Sequence, residues 1–521
     1  TRYIGVTGVQ TCALPISAVT IGASGAASTS TLDLNGFSET IGSLNLGRTT
    51  TTVAGAMANV ANNGGGSPVL TLGGALTYSA GSVGFENGQA TISANIDTGG
   101  AGRNIIVGDG GAAVDLVISG AISGAGNLTK TGTGVLQLSG ANTNTGTLII
   151  QDSMVKLGAS NVLTDAISIN VGNNASVAGA TFDLNGFSDT VTSVTLGVAA
   201  PTAAGFTHSI VSTGGSGVLT LGATLTYNAG GANLNGQATI SADLATGATA
   251  RSFAVGDGSA TDDLVITGAL QAGGGFNVNG GGTMRLDNAA NSHGTSQISG
   301  GSTLKLGANS VLGTGSVNLS QGVAGTSTLD LNGKTDAVGS GLNLSTATTT
   351  ALGAINQIID SAGGGVLQLN GPVTYNAGGA GFNNGTTTIS AALDLNGTTR
   401  NFNINDSDQT VQDVIISAVI QNSTGTAGLT KNNAGTLVLT GPNTYNGATT
   451  VTAGILEVNN TSGSGTGSGS VTVTSTLIGD GSITAASGNL VVINGSLIVG
   501  STGATAGTDF AITTSGVAST I

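Results

Sequence analysis

Leu128-Thr129-Lys130-Thr131-Gly132-Thr133-Gly134-Val135-Leu136-Gln137-Leu138-Ser139-Gly140-Ala141-Asn142-Thr143-Asn144-Thr145-Gly146 returns 301 residues later as Leu429-Thr430-Lys431-Asn432-Asn433-Ala434-Gly435-Thr436-Leu437-Val438-Leu439-Thr440-Gly441-Pro442-Asn443-Thr444-Tyr445-Asn446-Gly447. The strand leucines and the glycines Gly134, Gly140 and Gly146 hold that register. A fixed-register repeat in a glycine-rich chain is the mark of stacked supersecondary units that bury their apolar faces against one another. The reading is therefore all-β: a parallel β-helix, or β-solenoid.

The pair closes a larger unit. Thr31-Leu32-Asp33-Leu34-Asn35-Gly36 recurs from Thr181 and again from Thr328, 150 and 147 residues apart. Tyr78, Tyr227 and Tyr375 follow at matching places, as do Arg103, Arg251 and Arg400. A worn copy of the closing phrase, Gly282-Thr283-Met284-Arg285-Leu286 to Gly294, keeps the 12-residue spacing between first and last glycine found at Gly134–Gly146 and Gly435–Gly447. Expected segments are 18–180, 181–327 and 328–475, then an irregular β tail over 476–521. Residues 1–17 share nothing with the repeats. Val6-Thr7-Gly8-Val9-Gln10-Thr11-Cys12-Ala13-Leu14-Pro15-Ile16 resembles a translated sequencing adapter, so this stretch and Cys12 are set aside as a scar.

Within each segment, short apolar or alternating runs are punctuated by Gly, Asn, Asp and Ser at strand spacing. Asn35-Gly36, Asn185-Gly186 and Asn332-Gly333 are suited to positive-φ turns. No amphipathic helix of useful length is visible. A single coil of roughly 22 residues buries too few aliphatic side chains to offset its own ordering entropy, so coils must stack. Leu136, Leu138, Leu437 and Leu439 are expected to point inward. Lys130 and Lys431 are expected to be exposed, since Val278 replaces them in the worn copy.

Composition fits a solenoid and narrows function. Glycine is 91 of 521 residues, against a usual share of roughly 7%. Charged residues are 7%, aromatics 3%, and tryptophan is absent. Mean hydropathy is +0.30, too high for simple disorder. Eleven basic residues in a chain of net charge −14 form no phosphate-neutralising stripe, which argues against nucleic acid. No apolar run is long enough for a spanning helix.

Candidate chemistry is sparse. Arg103, Asp109 and Asp115 correspond to Arg251, Asp257 and Asp263 and to Arg400, Asp406 and Asp413. Paired carboxylates with an arginine suit glycan cleavage, but a reaction site has no reason to be triplicated, so an ion pair or turn ladder is favoured. Asp33, Asp183 and Asp330 are read as turn caps and not calcium ligands. Gly108-Asp109-Gly110 lacks the Lys-Ser/Thr of a phosphate loop. His208 is single, and His293 is taken as a turn position and not a metal ligand. The three tyrosines are read as ladder aromatics in preference to sugar platforms. No catalytic, cofactor-binding or metal-binding residue is assigned, and no cofactor is expected.

At Leu429-Thr430-Lys431, Gly435-Thr436-Leu437-Val438-Leu439, Asn443-Thr444-Tyr445-Asn446-Gly447 and Gly454-Ile455-Leu456 the chain resembles the autotransporter-associated β-strand repeat. Asn144 departs from that pattern at the tyrosine, and the worn copy lacks the lysine and the Asn-Thr pair. The resemblance implies a right-handed parallel β-helix passenger on a large secreted or surface protein of bacteria. Such a segment would be a non-enzymatic stalk or adhesin meeting host, matrix or carbohydrate surfaces, with its export barrel or anchor outside these residues. The chain is expected to be truncated at both ends. Alternatives are a β-helix carbohydrate-active enzyme or carbohydrate-binding solenoid, and an ice- or surface-binding solenoid.

Overall fold

The computed structural model describes residues 16–22, 28–50, 54–172, 179–197, 205, 207–230, 235–271, 273–319, 325–345, 355–379, 382–383, 385–407, 411–500 and 510–514. The adapter-like Cys12 lies outside them. No helix occurs among the described residues, and almost every strand pair is parallel. The chain is a right-handed parallel β-helix. It divides into two compact units, Thr1–Gly247 with Gly258–Gly268 and Ala248–Asp257 with Ala269–Ile521.

Each unit repeats one construction. In the first, Leu128 faces Leu148, Leu148 faces Ile169, Ile169 faces Val194 and Val194 faces Leu225, steps of 20, 21, 25 and 31 residues. In the second, Phe276, Ser296, Val317, Leu342 and Val373 follow one another with the same four steps. The coils are thus unequal in length, the shorter ones near the roughly 22 residues considered from the sequence. Short coils carry two strands, as in Leu128–Thr131 and Leu136–Leu138. Longer ones add a third side, where Asp189–Val191, Val218–Leu221 and Asp243–Ala245 stack.

The interior follows from alternation. A strand with buried first and third residues sends its second residue outward, as in Leu136-Gln137-Leu138. Leu136, Leu138, Leu437 and Leu439 are all buried, as their spacing requires. Parallel stacking sets equivalent residues over one another, so Leu116 faces Leu136 and Leu136 faces Val155. Coil contact is too close for side chains at the corners. A Cβ on Gly134 would lie 2.2 Å from the carbonyl oxygen of Gly108, and one on Gly435 2.4 Å from that of Asn405. This crowding is why those two glycines recur.

Two small antiparallel hairpins leave the coils sideways. Gly81–Ser82 pairs with Phe85–Glu86 in the first unit, and Gly378–Gly379 with Phe382–Asn383 in the second.

Candidate functional site

A polar constellation recurs at an interior corner, at Tyr78, Tyr227 and Tyr375. In the first, Tyr78 ends the strand Leu76–Tyr78 and is buried. Its hydroxyl donates toward the carbonyls of Asn87 (3.1 Å) and Gly88 (2.9 Å), closing the base of the hairpin. Tyr227 does the same with Asn235 and Gly236, and Tyr375 with Gly385. These rings lie inside the coil, so they are ladder aromatics and offer no platform to a sugar.

Beside each tyrosine a buried carboxylate ties two turns together. Asp115 Oδ1 accepts from the Gly110 amide at 2.7 Å and Oδ2 from the Val135 amide at 2.8 Å. Asp413 accepts from Ser407 and Thr436 in the same way, and Asp263 from Gly258. Burial pushes the Asp413 carboxyl up to about 6 and raises Asp115 as well.

Lys130 and Lys431 complete the corner, and here the sequence expectation is corrected. Both are fully buried, not exposed. Leu128 is an inward residue, so Lys130, two positions on, is carried to the same face by the strand's own alternation. The Lys130 ammonium donates to the carbonyls of Gly132 (2.7 Å) and Asp152 (3.3 Å). Lys431 donates to Asn432, Asn433 and Ala453. Burial depresses both amines to about 8. Asp115 and Asp152 oppose that shift at Lys130, and Asp413 opposes it at Lys431. The lysine is an internal cap for turn carbonyls, and Val278 occupies the same inward register as a plain core residue.

Arg103 and Asp109 do not converge. Arg103 opens the strand Arg103–Val107, while Asp109 lies beyond its other end and is exposed, roughly 13 Å of strand away. Arg400 turns back to donate to the carbonyls of Leu395 (2.9 Å) and Asn396 (3.4 Å). Of the two expected roles, then, the turn device describes Arg400, and no ion pair joins Arg103 to Asp109. The three arginines hold the same kind of place on their strands, Arg103 facing Leu128, Arg251 facing Phe276 and Arg400 facing Leu429.

Asp33, Asp183 and Asp330 are brackets between successive coils. Asp183 Oδ1 accepts from the amides of Asn185 (2.8 Å) and, one coil on, Thr213 (3.0 Å), and Oδ2 takes the Thr213 hydroxyl at 2.6 Å. Asp330 binds Asn332 and Ser361 in the same pattern, and Asp33 binds Asn35 and Asn63. Burial alone would raise Asp183, but the bonds from Thr213 and Asn185 and the charge of Lys156 hold it below the usual carboxylate range. Asn35, Asn185 and Asn332 take φ of 46°, 51° and 47°, the left-handed turn their Asn-Gly pairs suggest.

Both histidines are interior. His293 is fully buried, edge-on to Phe276 at 4.8 Å, and its ring nitrogens meet the carbonyls of Gly294 and Val311. It is therefore a packed core ring within its turn. Burial depresses His208 to about 4. Among the described residues no group of three or more His, Cys, Asp and Glu side chains is placed to hold a metal ion. Sequence reading missed the inward lysines, although the strand parity of Leu-Thr-Lys carried the signal.

A family model described as passenger-associated-transport-repeat matches residues 128–152 and 429–458. Both matches begin on the strand that carries the buried lysine. Over 223 residues, 42% of this chain, the sequence is 30% identical to the adhesin BmaC autotransporter of Brucella suis biovar 1 (strain 1330). That stretch is 5% of the relative's length. No solved structure matches the chain.

Proposed function

We propose that the chain, which is similar to autotransporter passengers, is a non-enzymatic spacer and contact segment of a larger adhesin exported to the cell surface. In this reading the segments 18–180, 181–327 and 328–475 are tandem lengths of stalk, and their outward faces meet host, matrix or carbohydrate surfaces. The observation that carries it is the fate of the polar clusters. The tyrosine–aspartate–lysine corners and the aspartate brackets spend their hydrogen bonds on the chain's own turns and neighbouring coils. A catalytic set instead needs an acid, base or nucleophile presented to a substrate.

The test is adhesion measured beside turnover. Beads coated with the full chain should bind immobilised matrix proteins or glycans, while a panel of soluble polysaccharides gains no new reducing ends. Release of reducing ends that tracks the purified chain would overturn the non-enzymatic reading. Failure of coated beads to adhere to any of these surfaces would overturn the contact role.

A further inference from the structure

The second unit carries a feature that its unequal coil lengths hide in the sequence. On the outward side of the first strand of each coil, one column holds Asn277, Gln297, Asn318, Asn343, Asn403 and Asn432. Thr374 fills the rung between Asn343 and Asn403. Ser252 precedes the column, and Thr452, Thr474 and Asn494 continue it. No charged or apolar side chain interrupts it from Ser252 to Asn494. In the first unit the equivalent column, through Thr129, Asn170 and Thr195, is broken by Ile149.

The rungs bond partly to each other. Asn343 Nδ2 donates to Asn318 Oδ1 at 2.6 Å, Asn432 Nδ2 to Asn403 Oδ1 at 3.0 Å, and the Thr452 hydroxyl to Asn432 Oδ1 at 2.6 Å. A carboxamide has two N–H donors and two acceptor lone pairs. Asn432 has one ladder bond in each direction, which fixes its amide and leaves a donor and an acceptor for solvent or a ligand. The rungs are half-buried up to Asn432 and exposed at Thr452, Thr474 and Asn494. The neighbouring outward column is also uncharged, with Thr295, Ser316, Pro372, Asn401, Thr430 and Thr450.

We infer that this face of the second unit is a docking track for a neutral, extended, β-linked polysaccharide lying across the strands. Parallel strands repeat at about 4.8 Å, close to one hexopyranose of an extended glycan chain, so successive sugars meet successive amides. A peptide laid along the track advances about 3.3 Å per residue and loses register within a few rungs. Charge selects as well: the track is neutral, and the chain around it carries −14, so an anionic polymer is repelled where a neutral one is not. The inference deepens the contact role proposed above by naming a ligand class, and that role stands without it if other surfaces bind.

The full chain is run in native gels containing hydroxyethylcellulose, a soluble neutral β-1,4-glucan, with glycogen and carboxymethylcellulose as companions. Hydroxyethylcellulose should slow the chain, carboxymethylcellulose less so at low salt, and glycogen not at all. Asn343→Asp with Asn403→Asp should cut the retardation at least ten-fold. Asn343→Ile copies a residue that the first unit already carries in its column, and it should do the same with an unchanged circular dichroism spectrum. No retardation by hydroxyethylcellulose, equal retardation by glycogen, or wild-type retardation of a folded Asn343→Ile chain would overturn the inference. So would dimers that Asn343→Asp dissociates, which would make the track a contact between copies.

Discussion

Replacing Lys130 by methionine tests the interior corner most directly. The Lys130 amine sits at about 8 in the folded chain, against 10.5 for a free lysine. Below pH 8 both states hold the proton and the group adds no pH-dependent stability. Between 8 and 10.5 the unfolded chain binds a proton that the folded chain has released, so unfolding free energy rises with pH. Integrated from pH 7 to pH 9.5 at 1.36 kcal/mol per unit, the rise is about 2 kcal/mol for this one side chain. The window stops short of pH 10, because burial raises the interior tyrosines and an unfolded chain ionises them first. Lys130→Met keeps the length of the side chain, and the inward Val278 shows that the register accepts an apolar residue. The assay is urea unfolding of both full-length chains at pH 7, 8.5 and 9.5, followed by circular dichroism. Wild type should gain about 2 kcal/mol more than the variant over that range. Brief acetylation at pH 8, read by mass spectrometry, should mark Lys305 and Lys334 well before Lys130 and Lys431. Parallel stability curves for the two chains, or acetylation of Lys130 as fast as Lys334, would refute the buried-cap account.

Other perturbations probe separate parts of the fold. Asn144 is fully buried, and neither polar atom of its amide has a partner, so Asn144→Leu should raise stability by about 1–3 kcal/mol; a loss of stability in urea melts would show that the amide is satisfied. Asp183→Ala leaves the Thr213 and Asn185 amides without their acceptor and should cost about 2 kcal/mol, with faster hydrogen exchange confined to those turns. Because Asp183 is held below its ordinary range, its contribution should fade as pH drops through the folded value, and the variant should be less acid-sensitive than wild type. His208 is buried neutral at about 4, so stability should fall as pH drops from 6.5 toward 4, by up to about 3 kcal/mol; His208→Asn, matching Asn356 at the same register, should flatten that fall. Leu437→Ala empties a core position and should cost about 2–5 kcal/mol, visible as a lower urea midpoint.

Much of this protein was legible in one dimension. The glycines of the closing phrase recur because a Cβ at Gly134 or Gly435 would strike the neighbouring coil, and the leucines between them recur because they fill it. Local demands of that kind appear as fixed letters at fixed spacing. The Asn-Gly pairs likewise named their left-handed turns, and the aspartates before them their caps.

The orientation of a polar residue on a strand was legible in principle but easily misjudged. Chemistry suggested that Lys130 should face water, while parity placed it beside Leu128. Parity prevailed because the backbone has no third direction, and the turn carbonyls were there to receive the ammonium. Each arginine and the first carboxylate after it looked like one cluster in sequence, yet they flank opposite ends of an extended strand.

Sequence alone determined that the chain is a stack of short parallel strands, with aliphatic side chains inside and glycine at the corners. Each of those features is demanded again at the same place in successive coils, so it recurs along the chain. The tertiary structure alone decided which distant residues share a column. Coils of 20, 21, 25 and 31 residues destroy any constant period along the chain, while hydrogen bonding between strands restores a constant spacing in space. The amides from Asn277 to Asn494 are scattered letters in the sequence and a continuous track on the folded surface.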